Sequence, residues 1–277
     1  MDNNWVKFGK YTKDMYNCND DISFTDTGNS CTKIASNGDD IYWRIIRING
    51  DGSIRMIYSG VTPPTESTKV IKTTDTSLGN SSSTYYSETE INDWYKTTTL
   101  ETDSATKILV ADKIFCADKT TSSPSTSSPQ TPVFRAPAQF LYYGAQVRLN
   151  SNKPILTCPT ASDKFTVGTS NGNGALTYPV GLITADEVAM AGGVSGSDNS
   201  SYYLYTNQYY WSGSPDYFFN RNGSTAPAGA RGFSVDSSGD IVARMVYASS
   251  GARPVVSLSS KAKLSGNGTW NNVYTVK

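Results

Sequence analysis

The chain of 277 residues contains no histidine. That removes the side chain most often used as a general base and as a metal ligand near neutral pH. Ser-His-Asp and Cys-His nucleophile systems are therefore impossible here. The residue types left for chemistry are carboxylates, cysteines and arginines. Asp216, Asp236 and Asp240 lie close together near the C-terminus. A retaining glycosidase would need two such carboxylates about 5–5.5 Å apart, but no motif sets these three up as a pair. Asp186 and Glu187 are adjacent acids, yet their place at a helix start gives them other duties. Arg44, Arg47 and Arg55 either form a binding patch or cover a sheet with their aliphatic stems, the second being the simpler reading.

The four cysteines, Cys18, Cys31, Cys116 and Cys158, form no CxxC, so zinc-ribbon and thioredoxin readings fail. Three disulfide pairings are possible. Cys18–Cys31 and Cys116–Cys158 are favoured because each joins neighbours across polar, loop-like sequence. Each closure would stabilise by about 3 kcal/mol or somewhat more and would imply an oxidising, extracellular setting. Four free thiols in a cytosolic protein is the alternative. Between Cys18 and Cys31 lie Asp20, Asp21 and Asp26 with Asn19 and Asn29. They lack the D-x-D-x-D-G spacing and terminal Glu of a calcium loop, and no metal or other cofactor is expected.

Length alone leaves one large domain or two; one domain of this size can bury roughly 75% of its unfolded surface. Lys+Arg and Asp+Glu number 24 each, and 17% of residues are charged. That argues against nucleic acid, where a basic domain is expected. No polybasic cluster points to an anionic membrane surface, and no run approaches the ~18 apolar residues of a membrane span. Met1 is followed directly by Asp2, so a targeting segment is expected to have been removed, with Met1 an added residue.

Abundant Ser, Thr, Asn, Gly and Tyr with little Leu and Glu favour strands and loops over helices. Trp5, Val6 and Phe8 read as a first strand. IYWRIIRI, NGDG and SIRMIYSG (41–60) read as a β-hairpin with a turn tolerant of positive φ. Trp43 and Ile45 share one face; Arg44, Ile46 and Ile48 share the other, so the hairpin should be covered on both sides. A helix should start at Ser87 as N-cap, with Glu90 closing a capping box, Tyr86 and Ile91 forming the staple, and Ile91, Trp94 and Tyr95 facing the core. Residues 108–115 form an apolar run, helix end or strand. Residues 119–132, rich in Ser, Thr and Pro, should be an exposed loop. A second helix should start at Thr184, boxed by Glu187, stapled by Ile183 and Val188 and ended by Gly192 and Gly193. Asp186 then serves as a dipole partner. ARGFSV, DSSG and DIVARMVY form a second hairpin, ARPVVSL a buried strand, and 265–277 an edge strand.

Nine aromatics lie between Tyr202 and Phe219, interleaved with Asn, Ser, Gly and Asp, a mixture typical of contact surfaces. The phrases IYWRIIRINGDGSIRMIYSG, GNGALTYPVGLITADEVAMAGG, YYWSGSP and GARPVVSL resemble a family of surface proteins in gut Firmicutes that begin with a prepilin-type helix. The C-terminal half resembles the C-type-lectin-like fold in its formylglycine-generating-enzyme branch. That branch includes the variable proteins of diversity-generating retroelements. The resemblance spans about 38–260. It implies an α+β, C-type-lectin-like fold with two helices, antiparallel hairpins and long irregular loops, occupying 38–277. Residues 1–37 would be an N-terminal extension from a missing anchor in a membrane or type IV pilus. The oxidase of that branch needs a cysteine pair in its C-terminal half, whereas the last cysteine here is Cys158. Calcium-dependent sugar binding lacks its Glu-Pro-Asn type triplet. A binding protein is therefore expected rather than an enzyme.

In the variable proteins, diversified codons lie near the C-terminus on an exposed face. The expected contact residues are Asp216, Tyr217, Phe218, Phe219, Asn220, Arg221, Asn222 and Ser224. Asp236, Asp240, Arg244 and Tyr247 would sit beside them. Trp211, in the phrase YWSGSP, is read as buried scaffold. Arg244 is either a surface ion-pair partner of Asp236 or Asp240 or an interface anchor. The expected partner is a protein or glycan on another cell, a phage or a host surface; the rival reading is a pilin-like subunit contacting its neighbours. An extracellular, cell-surface or pilus location follows, with no direct membrane contact.

Overall fold

The computed structural model describes residues 3–18, 21–25, 28, 31–66, 78–81, 88–122, 139–220, 229–248 and 250–277. The first elements are β1 (Trp5–Lys10), β2 (Met15–Cys18), β3 (Asp21–Ser23), β4 (Cys31–Ala35), β5 (Asp40–Ile48), β6 (Ile54–Tyr58) and β7 (Leu78–Ser81). Then come α1 (Glu88–Lys96), α2 (Thr99–Thr102), α3 (Ser104–Lys107), β8 (Phe115–Cys116), β9 (Thr121–Ser122), β10 (Gln139–Tyr143), α4 (Gly144–Asn150) and β11 (Lys164–Phe165). The last part holds α5 (Ala185–Met190), β12 (Val194–Ser195), β13 (Tyr210–Asn220), β14 (Gly229–Val235) and β15 (Asp240–Met245). It ends with β16 (Ser250–Ala252), β17 (Val255–Leu258), β18 (Leu264–Ser265) and β19 (Tyr274–Val276).

The chain is α+β, with few helical residues and many strands. Two larger sheets dominate: β17-β6-β5-β1-β19-β18, and β12-β15-β14-β13-β10-β9 with β16 joined to β13 and β7 to β16. The first hairpin forms as expected, its register running from Trp43↔Tyr58 to Ile48↔Ile54. Its turn is held by Asp51, which accepts from Ser53 N, and by Gly52 at φ 82. Both faces of this sheet are covered. Trp43, Met56 and Tyr58 pack on one side against Ile91, Trp94 and Tyr95 of α1, while Ile57 and Val255 face Ile183, Val188 and Phe233 on the other. Trp43, Tyr58 and Trp94 meet edge to face with ring centroids 5.7–6.2 Å apart, a geometry favoured by the ring quadrupole. Trp94 Nε1 donates to Tyr11 Oη at 2.8 Å, so the buried indole is satisfied.

The structure revises several expectations. Residues before 38 do not form a separate extension in the packing: β1 lies between β5 and β19, and Val6, Phe8, Tyr11 and Met15 join the core of Trp43. The Cys18–Cys31 segment is more regular than a loop. Cys18 and Cys31 are register partners on β2 and β4, so the disulfide staples two paired strands. Among the described residues three α-helices beyond the expected two occur, α2 and α3 of four residues each and α4 of seven. Residues 108–115 divide: Ile108 caps α3, Val110 bridges to Leu258 and Phe115 enters β8. At the C-terminus β18, not β19, is the sheet edge. The expected Ser87 cap and Tyr86 staple, and the loop residues 123–132, lie outside the described residues. Residues 121–122 form β9 against β10.

The second helix follows its sequence signal closely. Glu187 N donates to Thr184 Oγ1 at 3.1 Å, and Thr184 N donates to Glu187 Oε2 at 2.9 Å. Gly192 ends the turn at φ 112. The ARPVVSL segment ties the two large sheets together. Val255–Leu258 pairs with β6, and the fully buried Arg253 donates to Tyr58 O and Leu204 O while its guanidinium lies 4.9 Å from the Tyr210 ring.

Candidate contact face and a charged cavity

The far end of β13, β14 and β15 carries the candidate contact residues. Residues directly opposite in register share a face, and neighbours along a strand alternate. Leu141, Phe218 and Ala230 form one row across β10, β13 and β14, continued by Val246, whose N–H donates to Ala230 O. Gly232 and Arg244 are partners in a row on the same face. Burial falls along this face, from Ser234 at 0% exposed to half-buried Arg244 and Val246. Arg244 lies 4.3 Å from the centre of the Tyr209 ring. Tyr209 and the neighbouring Tyr247 are among the exposed large side chains, Tyr247 at 66%. Arg244 thus stacks on an exposed tyrosine. Arginine over an aromatic ring is favourable and becomes more so on desolvation.

The opposite face carries Tyr142, Tyr217 and Arg231, again register partners. The Tyr142 and Tyr217 rings lie 5.5 Å apart, and the Arg231 guanidinium lies 5.4 Å from the Tyr217 ring. Tyr217 thus faces away from the Phe218 and Arg244 surface. Phe219 and Asn220 close β13, paired with Phe140 and Gln139. Arg221, Asn222 and Ser224 lie outside the described residues.

Three expected contact residues are corrected. Asp216 is fully buried. Between Pro215↔Gly232 and Tyr217↔Arg231, β13 advances two residues while β14 advances one. Asp216 is the extra residue of this bulge, and bulges re-aim side chains. Neither of its carboxylate oxygens has a hydrogen-bond partner. Burial raises its pKa to about 7, with Arg231 pulling in the other direction. Asp236 and Asp240 stand at the opposite end of the hairpin. With Val235↔Ile241 at one end and Arg231↔Met245 at the other, about five residues at ~3.3 Å each separate them from Tyr217. Asp236 organises the turn, accepting from Ser238 N, Ser238 Oγ and Asp240 N. Asp240 accepts from Gly196 N at 2.7 Å, and burial raises its pKa.

Trp211 is buried, as expected of scaffold, and Tyr210 is fully buried while Tyr209 is exposed. Tyr142 and Arg231 escaped the sequence reading because only strand pairing brings them to Tyr217. Tyr209 was visible in the aromatic run, but its exposure depends on the end of the strand falling at Tyr210.

A second feature had no counterpart in the sequence. A cavity of about 650 Å³ opens between the β5–β6 turn, the segment from Asp112 to Asp118, the loop from Ile155 to Asn171 and the start of α5. Its floor is a network of buried ion pairs. Glu187 Oε1 lies 2.7 Å from Arg55 Nε and 3.3 Å from Arg47 Nη1. Arg148 donates from Nε and Nη2 to both oxygens of Asp186 at 2.8 Å, and from Nη1 to Asp118 at 2.7 Å. Arg44 and Arg55 are therefore not stems with solvated heads. Both are buried whole, Arg44 stacked 4.4 Å from Trp5 and Arg55 4.5 Å from Phe115. Asp186 does more than answer the helix dipole, and Glu187 couples its cap to the central hairpin.

The disulfides Cys18–Cys31 and Cys116–Cys158 both form. Among the described residues no helix is long and apolar enough to cross a membrane, and no group of His, Cys, Asp or Glu side chains is arranged to hold a metal ion. No protein-family model matches the chain, nor does a curated protein or a solved structure.

Proposed function

We propose that the protein is an extracellular binding protein of C-type-lectin-like type, displayed on a cell surface or pilus. Its contact face is built on Phe218, Arg244, Tyr209 and Tyr247. One observation carries this reading: an arginine stacked on an exposed tyrosine, with a second tyrosine, 66% exposed, three residues along the chain from that arginine. Arginine and tyrosine are the residues enriched at binding hot spots, and exposed aromatic patches mark interaction sites. The two disulfides agree with an oxidising location. Surface display and a diversified face rest on the resemblance in sequence. The reading favours binding over catalysis because the three aspartates near the C-terminus are dispersed: one buried in a bulge, two in a turn.

The expected ligand is a protein or glycan on another surface. The rival role, a structural pilin-like subunit, would use the same face against copies of itself. Sedimentation of the purified chain across a wide concentration range separates the two. The binding reading expects a monomer whose state does not depend on Tyr247. Self-association abolished by Tyr247→Ala would overturn it in favour of the subunit.

A further inference from the structure

We propose that the cavity beneath the β5–β6 turn binds a small anionic ligand, one carrying a carboxylate or sulfate group. A volume near 650 Å³ falls in the range of pockets that enclose small molecules, about 300–1,000 Å³. Formal charges on the lining balance: Arg47, Arg55, Lys113, Arg148 and Lys164 against Asp51, Asp112, Asp118, Asp186 and Glu187. The preference comes instead from which charges face the opening. The floor carboxylates are closed off, Asp118, Asp186 and Glu187 exposing 2–4% of their side chains. Arg47, Lys113 and Arg148 expose 23%, 30% and 16%. A ligand entering the cavity meets these cations before the floor acids; Asp51 and Asp112 are also exposed at the rim, each already engaged by neighbouring donors.

The remaining acids are engaged as well. Asp112 accepts from Val167 N and Gly168 N at 2.9 and 2.8 Å. Asp51 is held by Lys113 and by Ser53 N and Oγ. Donors, by contrast, are left over. Half-buried Lys164 has no ion-pair partner among the described residues. Arg47 and Arg55 are cross-strand neighbours that share the single carboxylate of Glu187. Like charges directly opposite in a sheet repel, and an anion above them relieves that repulsion. The guanidinium of Arg148 is fixed by its bidentate contact with Asp186, so a ligand would pay little to order it. Planar guanidinium groups match carboxylate and sulfate oxygens.

Chemical-shift titration of the ¹⁵N-labelled full chain tests this, with D-glucuronate and inorganic sulfate as separate probes and D-glucose as the uncharged control. Saturable shifts of the Ser53, Lys113, Thr157 and Lys164 amides are expected with an anion and not with glucose; which anion saturates tells carboxylate from sulfate. Arg47→Gln should weaken binding at least tenfold, the loss of a charged hydrogen bond worth about 1.5–3 kcal/mol. Lys164→Gln, on a side chain without an ion-pair partner among the described residues, should weaken it severalfold while leaving thermal unfolding unchanged, which keeps the test valid if Arg47→Gln fails to fold. Absence of saturable shifts with both anions, equal shifts with glucose, or undiminished binding in the Lys164→Gln protein would overturn the proposal.

Discussion

Two regions of this molecule bury charge in opposite ways. At the floor of the cavity every acid meets an arginine: Asp118 and Asp186 share Arg148, and Glu187 meets Arg55 and Arg47. Beneath the contact end of β13, Asp216 is as deeply buried, yet neither oxygen accepts a hydrogen bond. The cavity network joins three elements, the central hairpin, α4 and α5, and fixes their mutual placement. Asp216 accepts no hydrogen bond and lies in the field of Arg231. Burial without such a partner disfavours its charged form. The contrast separates a part of the molecule tied together by paired charges from a part that buries a carboxyl without hydrogen-bond partners.

The largest effect expected from this contrast comes from breaking the paired region. Arg148→Met should leave Asp186 and Asp118 buried without a counter-charge and cost about 3–5 kcal/mol, read by urea unfolding. A loss below 1 kcal/mol would mean the network does not hold α4 to α5.

At Asp216 the effect should be of comparable size but governed by pH. Its folded-state pKa of about 7 lies above the unfolded value near 3.8. The folded protein therefore holds the proton more tightly, and the carboxyl costs nothing below pH 3.8. As pH rises from there through 7, stability is lost, on the order of 4 kcal/mol at about 1.4 kcal/mol per pKa unit. Asp216→Asn should remove this slope. The difference in unfolding free energy between the two proteins should grow from pH 4 to pH 8 in favour of the variant. A constant difference across that range would show that Asp216 is solvated or paired.

Smallest of all should be the stability change at the contact face itself. Arg244→Ala and Tyr247→Ala touch a half-buried and an exposed side chain, so each should stay within about 0.5–1 kcal/mol of the parent. A larger loss would place these residues in the fold and not in recognition.

Much of the fold was legible because local signals were strong. The hairpin at 41–60 declared itself through alternation around NGDG, the Thr184 box through its spacing, and both disulfides through proximity in sequence. What was hidden depends on pairing between distant strands. The insertion of β1 at the middle of the sheet rests on Val6↔Trp43 and Val6↔Tyr274, which no local pattern announces. The inward turn of Asp216 rests on a one-residue bulge, which strict alternation along the DYFF phrase does not announce. The cavity network escaped for the same reason: Arg55, Arg148 and Glu187 are far apart in sequence, and Glu187 already had a complete explanation as a cap.

On the proposed function, a scaffold fixed by buried groups presents a face that varies between isolates. Sequencing the same locus from several isolates tests it most directly. Substitutions should cluster at Phe218, the residues that follow it to Ser224, Arg244 and Tyr247. They should spare Asp216, Asp236, Asp240 and Trp211, which the structure gives to the scaffold. Substitutions spread evenly along the chain, or concentrated at those buried and turn positions, would contradict it.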